Sequence, residues 1–370
     1  MGGLYIHVPF CHAKCAYCDF YSQKIGNDAV SEYLVLLERE WMLRKHELFA
    51  IEKNKELDTV YFGGGTPSVI SPANVLNLRE WLPEIKNGGE FTVEFNPEDV
   101  YHENTNVWKT IGANRVSMGI QSLIDDELRA IGRRHTAKEA IEAFNVLRYY
   151  FANVSIDIII GLPGQTYDSL RVTLFEVLRM HPEHISAYIL SYEPGTRLWA
   201  MRKAGKIVET DDETIAKMYD LVCDELRADG YEHYEVSNFA LPGYRARHNS
   251  AYWTGSPYLG LGPGAHSYDG HTRRFNPSNL KIWTECLRKD EVAFTTETES
   301  EKESINTYIM TGLRTANGID ISSIPESYRT EFMKNLGSVK PDRFIIESGR
   351  LFIPERAWLT SDDTISRLFL

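Results

Sequence analysis

A chain of 370 residues is too long for one small core and long enough for a large domain with a smaller one beside it. Its 43% hydrophobic and 25% charged residues are those of a soluble globular protein, and a net charge of -12 argues against general affinity for nucleic acid or anionic membrane. Three of the five cysteines crowd into one short segment, which argues against a disulfide framework and for a reducing compartment.

In chain order, Leu4–Val8 reads as a strand, followed by helical spacing over Ala29–Phe49 with Val30, Tyr33, Leu34, Leu37 and Trp41 on one face. Asp58–Phe62 is the next strand. Ser71-Pro72 then predicts a helix start, Ser as N-cap and Pro in the first turn. Phe91–Phe95 and Arg115–Ile120 read as strands with a helix near Val100–Ile111 between them. Thr136-Ala137-Lys138-Glu139 predicts a capping box. Val154–Ile160, a helix over Leu170–Leu178 and a strand over Ile185–Leu190 complete six βα units, the signature of a parallel sheet, either open or curled into a partial barrel. Most of the conspicuous polar residues and glycines fall at strand C-termini, the usual mouth of a barrel active site. Beyond residue 195 the pattern changes. Asp211–Asp229 predicts a helix, Tyr231 to Asn276 is rich in Gly and aromatics, and from Glu297 onward the chain reads as helices with a hairpin at Phe344–Ile353. The expected division is 1–195, 196–295 and 296–370.

The most informative run is Cys11-His12-Ala13-Lys14-Cys15-Ala16-Tyr17-Cys18. Three thiolates spaced C-x3-C-x2-C can hold three irons of a 4Fe-4S cluster and leave the fourth iron open. A structural zinc site wants four ligands, commonly in two close pairs. His7 or His12 is available as a fourth, but the paired spacing is missing. Cys223 and Cys286 read as core residues at helical spacing. Gly63-Gly64-Gly65-Thr66 follows the second strand; it lacks the Lys of a P-loop and the G-x-G-x-x-G of a dinucleotide fold.

The cysteine run resembles the cluster signature of the radical S-adenosylmethionine superfamily, with Tyr17 as its expected aromatic. The resemblance implies an open iron chelated by S-adenosyl-L-methionine, whose reductive cleavage gives a 5′-deoxyadenosyl radical. It also implies an α/β fold: a partial (β/α)6 TIM-like barrel with a smaller C-terminal α+β domain. The series Tyr5–Cys11, Phe62–Pro67, Glu94, Gly119-Ile120-Gln121-Ser122, Arg133 and Asp157–Pro163 is similar to the oxygen-independent coproporphyrinogen III oxidase family. Tyr5, Gly64, Gly65, Thr66, Glu94, Gln121, Arg133, Asp157 and Ser191 stand where that family contacts adenosylmethionine. Read alone, Tyr5 is as well an inward strand residue, and Glu94 and Asp157 are as well ion-paired or capping carboxylates.

Two departures point to one branch. The oxidase carries a fourth Cys two residues after the third, where this chain has Phe20, and a long extension before its first strand. His248-Asn249-Ser250-Ala251-Tyr252-Trp253 resembles the H-N-x-x-Y-W run of the heme chaperone (HemW) branch. There the implied role is heme binding, with His248 the candidate ligand. A loop His packed beside two structural aromatics fits the same residues. The branch implies heme as ligand, heme-acceptor apoproteins as partners, among them membrane respiratory proteins, and no nucleic acid. It places the chain in the cytoplasm and leaves peripheral attachment to the inner face of the membrane open. The alternatives are decarboxylation of coproporphyrinogen III in porphyrin biosynthesis, which Phe20 argues against, and radical chemistry on some other substrate.

Overall fold

A computed structural model describes residues 2–26, 29–49 and 56–370. Six parallel strands lie side by side in chain order: β1 (Gly3–Val8), β2 (Leu57–Gly64), β3 (Ile85–Phe95), β4 (Arg115–Gln121), β5 (Val154–Ile160) and β6 (His184–Ile189). The crossovers carry α1 (Ala29–Phe49), α2 (Pro72–Leu78), α3 (His102–Thr110), α4 (Asp125–Ala130), α5 (Ala137–Tyr150) and α6 (Tyr167–Met180). Parallel neighbours need such crossovers, and helices on the outer face bury the outward side chains. The result is the expected partial barrel. Outward residues such as Val116, Met118 and Ile120 are fully buried beneath the helices, while Arg115, Ser117, Gly119 and Gln121 of the same strand alternate into the barrel.

Local signals explain the helix starts. Thr136 and Glu139 form the predicted reciprocal capping box, and Thr166 with Ser169 forms a second one that the reading of the sequence did not name. Helix α2 starts at Pro72, but the Ser71 hydroxyl makes no cap bond.

The Gly- and aromatic-rich stretch is more ordered than its composition predicts. After α7 (Arg197–Lys203) and α8 (Asp212–Ala228), the strands β7 (Glu232–Glu235) and β8 (Asn238–Ala240) cover the β6 edge in antiparallel sense. A short helix, α9 (Arg247–Trp253), leads to β9 (Tyr258–Leu261), which pairs parallel with β1. Strands β10 (His266–Tyr268), β11 (Thr272–Phe275) and β12 (Thr295–Thr298) continue antiparallel, with α10 (Leu280–Leu287) between the last two. The sheet therefore has twelve strands, ordered β12-β11-β10-β9-β1-β2-β3-β4-β5-β6-β8-β7.

One apolar core runs from Leu4 to Leu287, and a second joins residues from Ile305 to Leu368. The second is built from helices α11 (Glu301–Gly312), α12 (Glu326–Leu336) and α13 (Ser361–Leu368) on a three-stranded antiparallel sheet. Its hairpin turns at Ser348-Gly349, both with positive φ, as a two-residue turn requires. Among the described residues, no helix is long and apolar enough to cross a membrane.

Candidate functional site

The cysteine loop leaves the end of β1 and is closed by a two-residue parallel pair, Phe10–Cys11 with Gln23–Lys24. Its middle is pinned on both sides: the Ala16 N–H donates to Ile131 O at 2.9 Å, and the Leu198 N–H donates to Ala16 O at 2.7 Å. All three thiols face one cavity of about 440 Å³ at the C-terminal mouth of the barrel. Thr66 Oγ1 donates to Cys11 Sγ at 3.3 Å and Arg133 Nη1 to Cys15 Sγ at 3.5 Å. Burial raises the Cys11 thiol and pushes the Cys18 thiol up to about 11.

Gly64, Gly65, Thr66, Glu94, Gln121, Arg133, Asp157, Ser191 and Tyr17 line the same cavity. Gly64 has φ +106, and a Cβ there would meet the His7 ring at 2.6 Å; Gly65 lies against the backbone of Val8 and Phe10. Only glycine fits either place, so the loop passes close under the thiols with its backbone exposed to a ligand. Gln121, at φ 65, is one of few non-glycine residues in the left-handed region and is 9% exposed, a strained position of the kind that clusters at functional sites. Arg133 Nη2 donates to Asn96 Oδ1 at 2.8 Å, while its Nε is buried without a partner.

The cavity floor holds two carboxyls. Glu94 accepts from Tyr61 Oη at 2.7 Å, and burial pushes it up to about 7. Burial also raises Asp157, which accepts from Ser117 Oγ at 3.2 Å. Asn96, Ser117, Ser186, Tyr61 and Tyr188 also line the wall and were not singled out from the sequence; Asn249, quoted only as part of the His248 run, lines it too. The signal was present in part: Ser117 and Ser186 are polar positions alternating with apolar ones in strands β4 and β6. Register pairs Glu94 with Ser117 and Asp157 with Ser186.

Two expected contacts do not reach the cavity. Tyr5 lies beside it, its Oη 3.1 Å from His7 Nδ1. His248 is 1% exposed, with Nδ1 2.8 Å from Thr59 Oγ1 and Nε2 2.8 Å from Tyr252 Oη. Both ring nitrogens are engaged, so in this conformation neither is free to ligate a heme iron. Its place on α9, which packs its ring against Thr59 and Tyr61 of β2, puts it in the interior, which the motif alone does not reveal. The histidines that zinc would need do not line the cavity of the thiols: His7 Nε2 lies 2.7 Å from Tyr21 O and His12 Nε2 2.9 Å from Asp99 Oδ1.

The model of the radical SAM superfamily matches residues 5–177. The heme chaperone HemW of Bacillus subtilis (strain 168) is 35% identical over 339 residues, covering 89% of this chain and 87% of that protein. The chain belongs to the HemW family. The HemW of Lactococcus lactis subsp. lactis (strain IL1403) is 32% identical, with 90% of this chain and 86% of that protein covered. In fold, the radical SAM enzyme coproporphyrinogen III oxidase (HemN) from Escherichia coli superposes with a TM-score of 0.85 at 22% identity, over 100% of this chain and 90% of that one. A HemW-family chain thus shares the oxidase's architecture while Phe20, 63% exposed at the cavity mouth, stands at the position two beyond the last thiol.

The donor set fits a cluster. Three cysteines reach one space without a nearby fourth, and a cradle of backbone, hydroxyl and guanidinium groups surrounds them. The same cavity holds two half-buried carboxyls, Glu94 and Asp157, and polar groups at Gln121 and Ser191, a set that fits a cationic ligand.

Proposed function

We propose that this protein binds a 4Fe-4S cluster through Cys11, Cys15 and Cys18, holds S-adenosyl-L-methionine against it, binds heme and delivers heme to acceptor apoproteins. Bound there, a cluster of this kind supplies one electron at an iron with an open position. Arg133 and Thr66 steady the thiolates, Gly64 and Gly65 let the ligand approach the backbone, and Glu94 and Asp157 face its positive charge. The observation that carries the reading is the convergence of the three thiols and this cradle in one cavity, in a chain whose HemW relatives match it over most of its length.

For heme, the apolar rim of the mouth is the better surface than His248. Phe20, Tyr188 and Ile189 are all exposed there, and a porphyrin face packs well on such side chains. In this reading 1–195 carries the cluster, 196–295 closes the barrel and 296–370 folds around its own core. The protein works in the cytoplasm, at or near the inner face of the membrane where respiratory acceptors lie, and serves heme delivery beside porphyrin biosynthesis. The test is anaerobic reconstitution with iron and sulfide, then hemin titration and transfer to an apo-cytochrome. Equimolar hemin binding with transfer is expected. Turnover of coproporphyrinogen III without hemin transfer would assign the oxidase activity instead.

A further inference from the structure

Helix α9, which carries His248-Asn249-Ser250-Ala251-Tyr252-Trp253, enters the barrel from below. Glu90 of β3 caps its N-terminus, accepting from the N–H groups of Arg247 at 2.9 Å and His248 at 3.0 Å. The His248 ring stacks on Tyr61 at 5.0 Å between centroids, with the rings 28° apart. Tyr61 in turn donates to Glu94 on the cavity floor at 2.7 Å. The next residue, Asn249, is half-buried and lines the cavity, and its amide makes no hydrogen bond within the described protein.

We propose that α9 is the floor of the adenosylmethionine cavity, with His248 a positioning residue that holds Tyr61 against Glu94 and Asn249 a group that faces the ligand. This rests on the reading that the cavity takes adenosylmethionine. The ring stack fixes Tyr61 laterally, and one hydrogen bond with Thr59 and one with Tyr252 fix the imidazole. Burial holds His248 neutral, down to about 3, so it acts by shape and hydrogen bonding rather than charge.

The arrangement makes binding depend on the charge of Glu94. Tyr61 and the Gly64 N–H favour its carboxylate, as does Arg115 from β4; Asp157 from β5 opposes it. The hydroxyls of Tyr5, Tyr188 and Tyr252 also face it, from β1, β6 and α9, and stay protonated. Removing the Tyr61 hydroxyl takes a donor from the carboxylate, so the pH at which Glu94 ionises must rise.

The experiment measures adenosylmethionine affinity by equilibrium dialysis on the reconstituted protein across neutral pH, beside thermal unfolding and the hemin absorption spectrum. Asn249→Ala should bind about two- to tenfold more weakly, the loss of one hydrogen bond, with an unchanged unfolding midpoint. Tyr61→Phe and His248→Gln should move the pH midpoint of binding upward, and all three should keep the parent hemin spectrum. Parent-like binding in Asn249→Ala and Tyr61→Phe at every pH overturns the proposal, and does so even if His248→Gln fails to fold. A changed hemin spectrum in His248→Gln with intact adenosylmethionine binding also overturns it. Failure of the parent itself to bind adenosylmethionine removes the reading of the cavity, a different result from parent binding that the variants leave untouched.

Discussion

Gly65 tests whether the cluster loop is held by direct backbone contact. A Cβ on this residue would lie 2.7 Å from Phe10 O, 2.8 Å from Val8 O and 3.0 Å from Phe10 N. Ordinary contact begins at 3.4 Å, so the loop must retreat by roughly 0.4 to 0.7 Å in a close-packed setting. The obstructing atoms are backbone, in two residues with no solvent exposure, and cannot rotate aside. The Gly65 N–H also donates to Val8 O at 2.7 Å, a bond that the retreat stretches. Overpacking of this kind costs about 1–3 kcal/mol. Thr66 is the next residue and holds Cys11 Sγ, so the shift passes straight to the first thiol. Gly65→Ala should therefore lose that much stability in urea unfolding of the apoprotein and retain less iron and sulfide per chain after anaerobic reconstitution. Gly26→Ala is the control, since among the described residues its Cβ would meet only Ala29 Cβ at 3.8 Å. A Gly65→Ala protein within about 0.5 kcal/mol of the parent, with a full complement of iron, would refute the reasoning.

Glu40 accepts from Arg44 at 3.1 Å, Asn276 at 2.7 Å, Gly262 N–H at 2.8 Å and Trp283 Nε1 at 3.0 Å, all buried. Glu40→Ala should cost about 2–5 kcal/mol, because Arg44 keeps Glu47 but the buried Gly262 N–H and Trp283 Nε1–H lose their acceptor, and limited proteolysis should then cut first between β9 and α10. Glu94 and Glu235 are both pushed up to about 7 by burial, so the folded state holds protons that the unfolded state releases from its ordinary value of 4.5 upward. Their contribution is intact below that value and is lost as pH rises to about 7, by up to about 3 kcal/mol each; Glu235→Gln should flatten the pH dependence of urea stability over that window. Phe20→Ala should weaken hemin binding about three- to tenfold by removing one aromatic contact, read by titration at the Soret band, with cluster content unchanged.

The parallel sheet was legible because its strands are uniform: Val154–Ile160 is apolar at all but two of its seven positions and its limits match the structure. Periodicity also set the limits of α1, although Leu36 joins its buried face and Leu34 is only half-buried. The short strands flanking the parallel core were not legible. Runs of three or four residues such as Tyr258–Leu261 and Thr272–Phe275 are too short for alternation to show, and their pairing is set by distant partners. Glu40 and Arg44, at i and i+4 in α1, were not singled out from the sequence, because nothing local marks such a pair as buried. Only the fold brings Asn276, Trp283 and Gly262 over it. The site divides in the same way. Residues in local motifs, the cysteines and the glycines among them, were found from the sequence, while Asn96, Ser117 and Tyr61 became visible only once the strands shared one cavity.

The interior of the barrel explains why the His248 segment is built as it is. A partial barrel with polar inward residues must satisfy them, since an unpaired buried polar group costs about 1–3 kcal/mol. Thr59 and Glu90 point inward at the level of α9, and the helix answers each: its first N–H groups meet Glu90 and its imidazole meets Thr59. His248 and Tyr252 are four residues apart and so lie on one helix face, where they bond to each other. Space for the ring is made by Gly3, whose Cβ would lie 2.9 Å from Thr59 Oγ1 and 3.4 Å from His248 Cε1. Gly63 does the same one layer higher, where a Cβ would lie 2.8 Å from the Tyr61 ring and 3.0 Å from Glu94 Oε1. Two glycines on neighbouring strands thus open a column that the imidazole, the phenol and the carboxyl fill in turn. A heme iron reaching His248 would have to break both imidazole bonds and withdraw the ring from this column, which sets the physical cost that any heme-ligand role for this residue must meet.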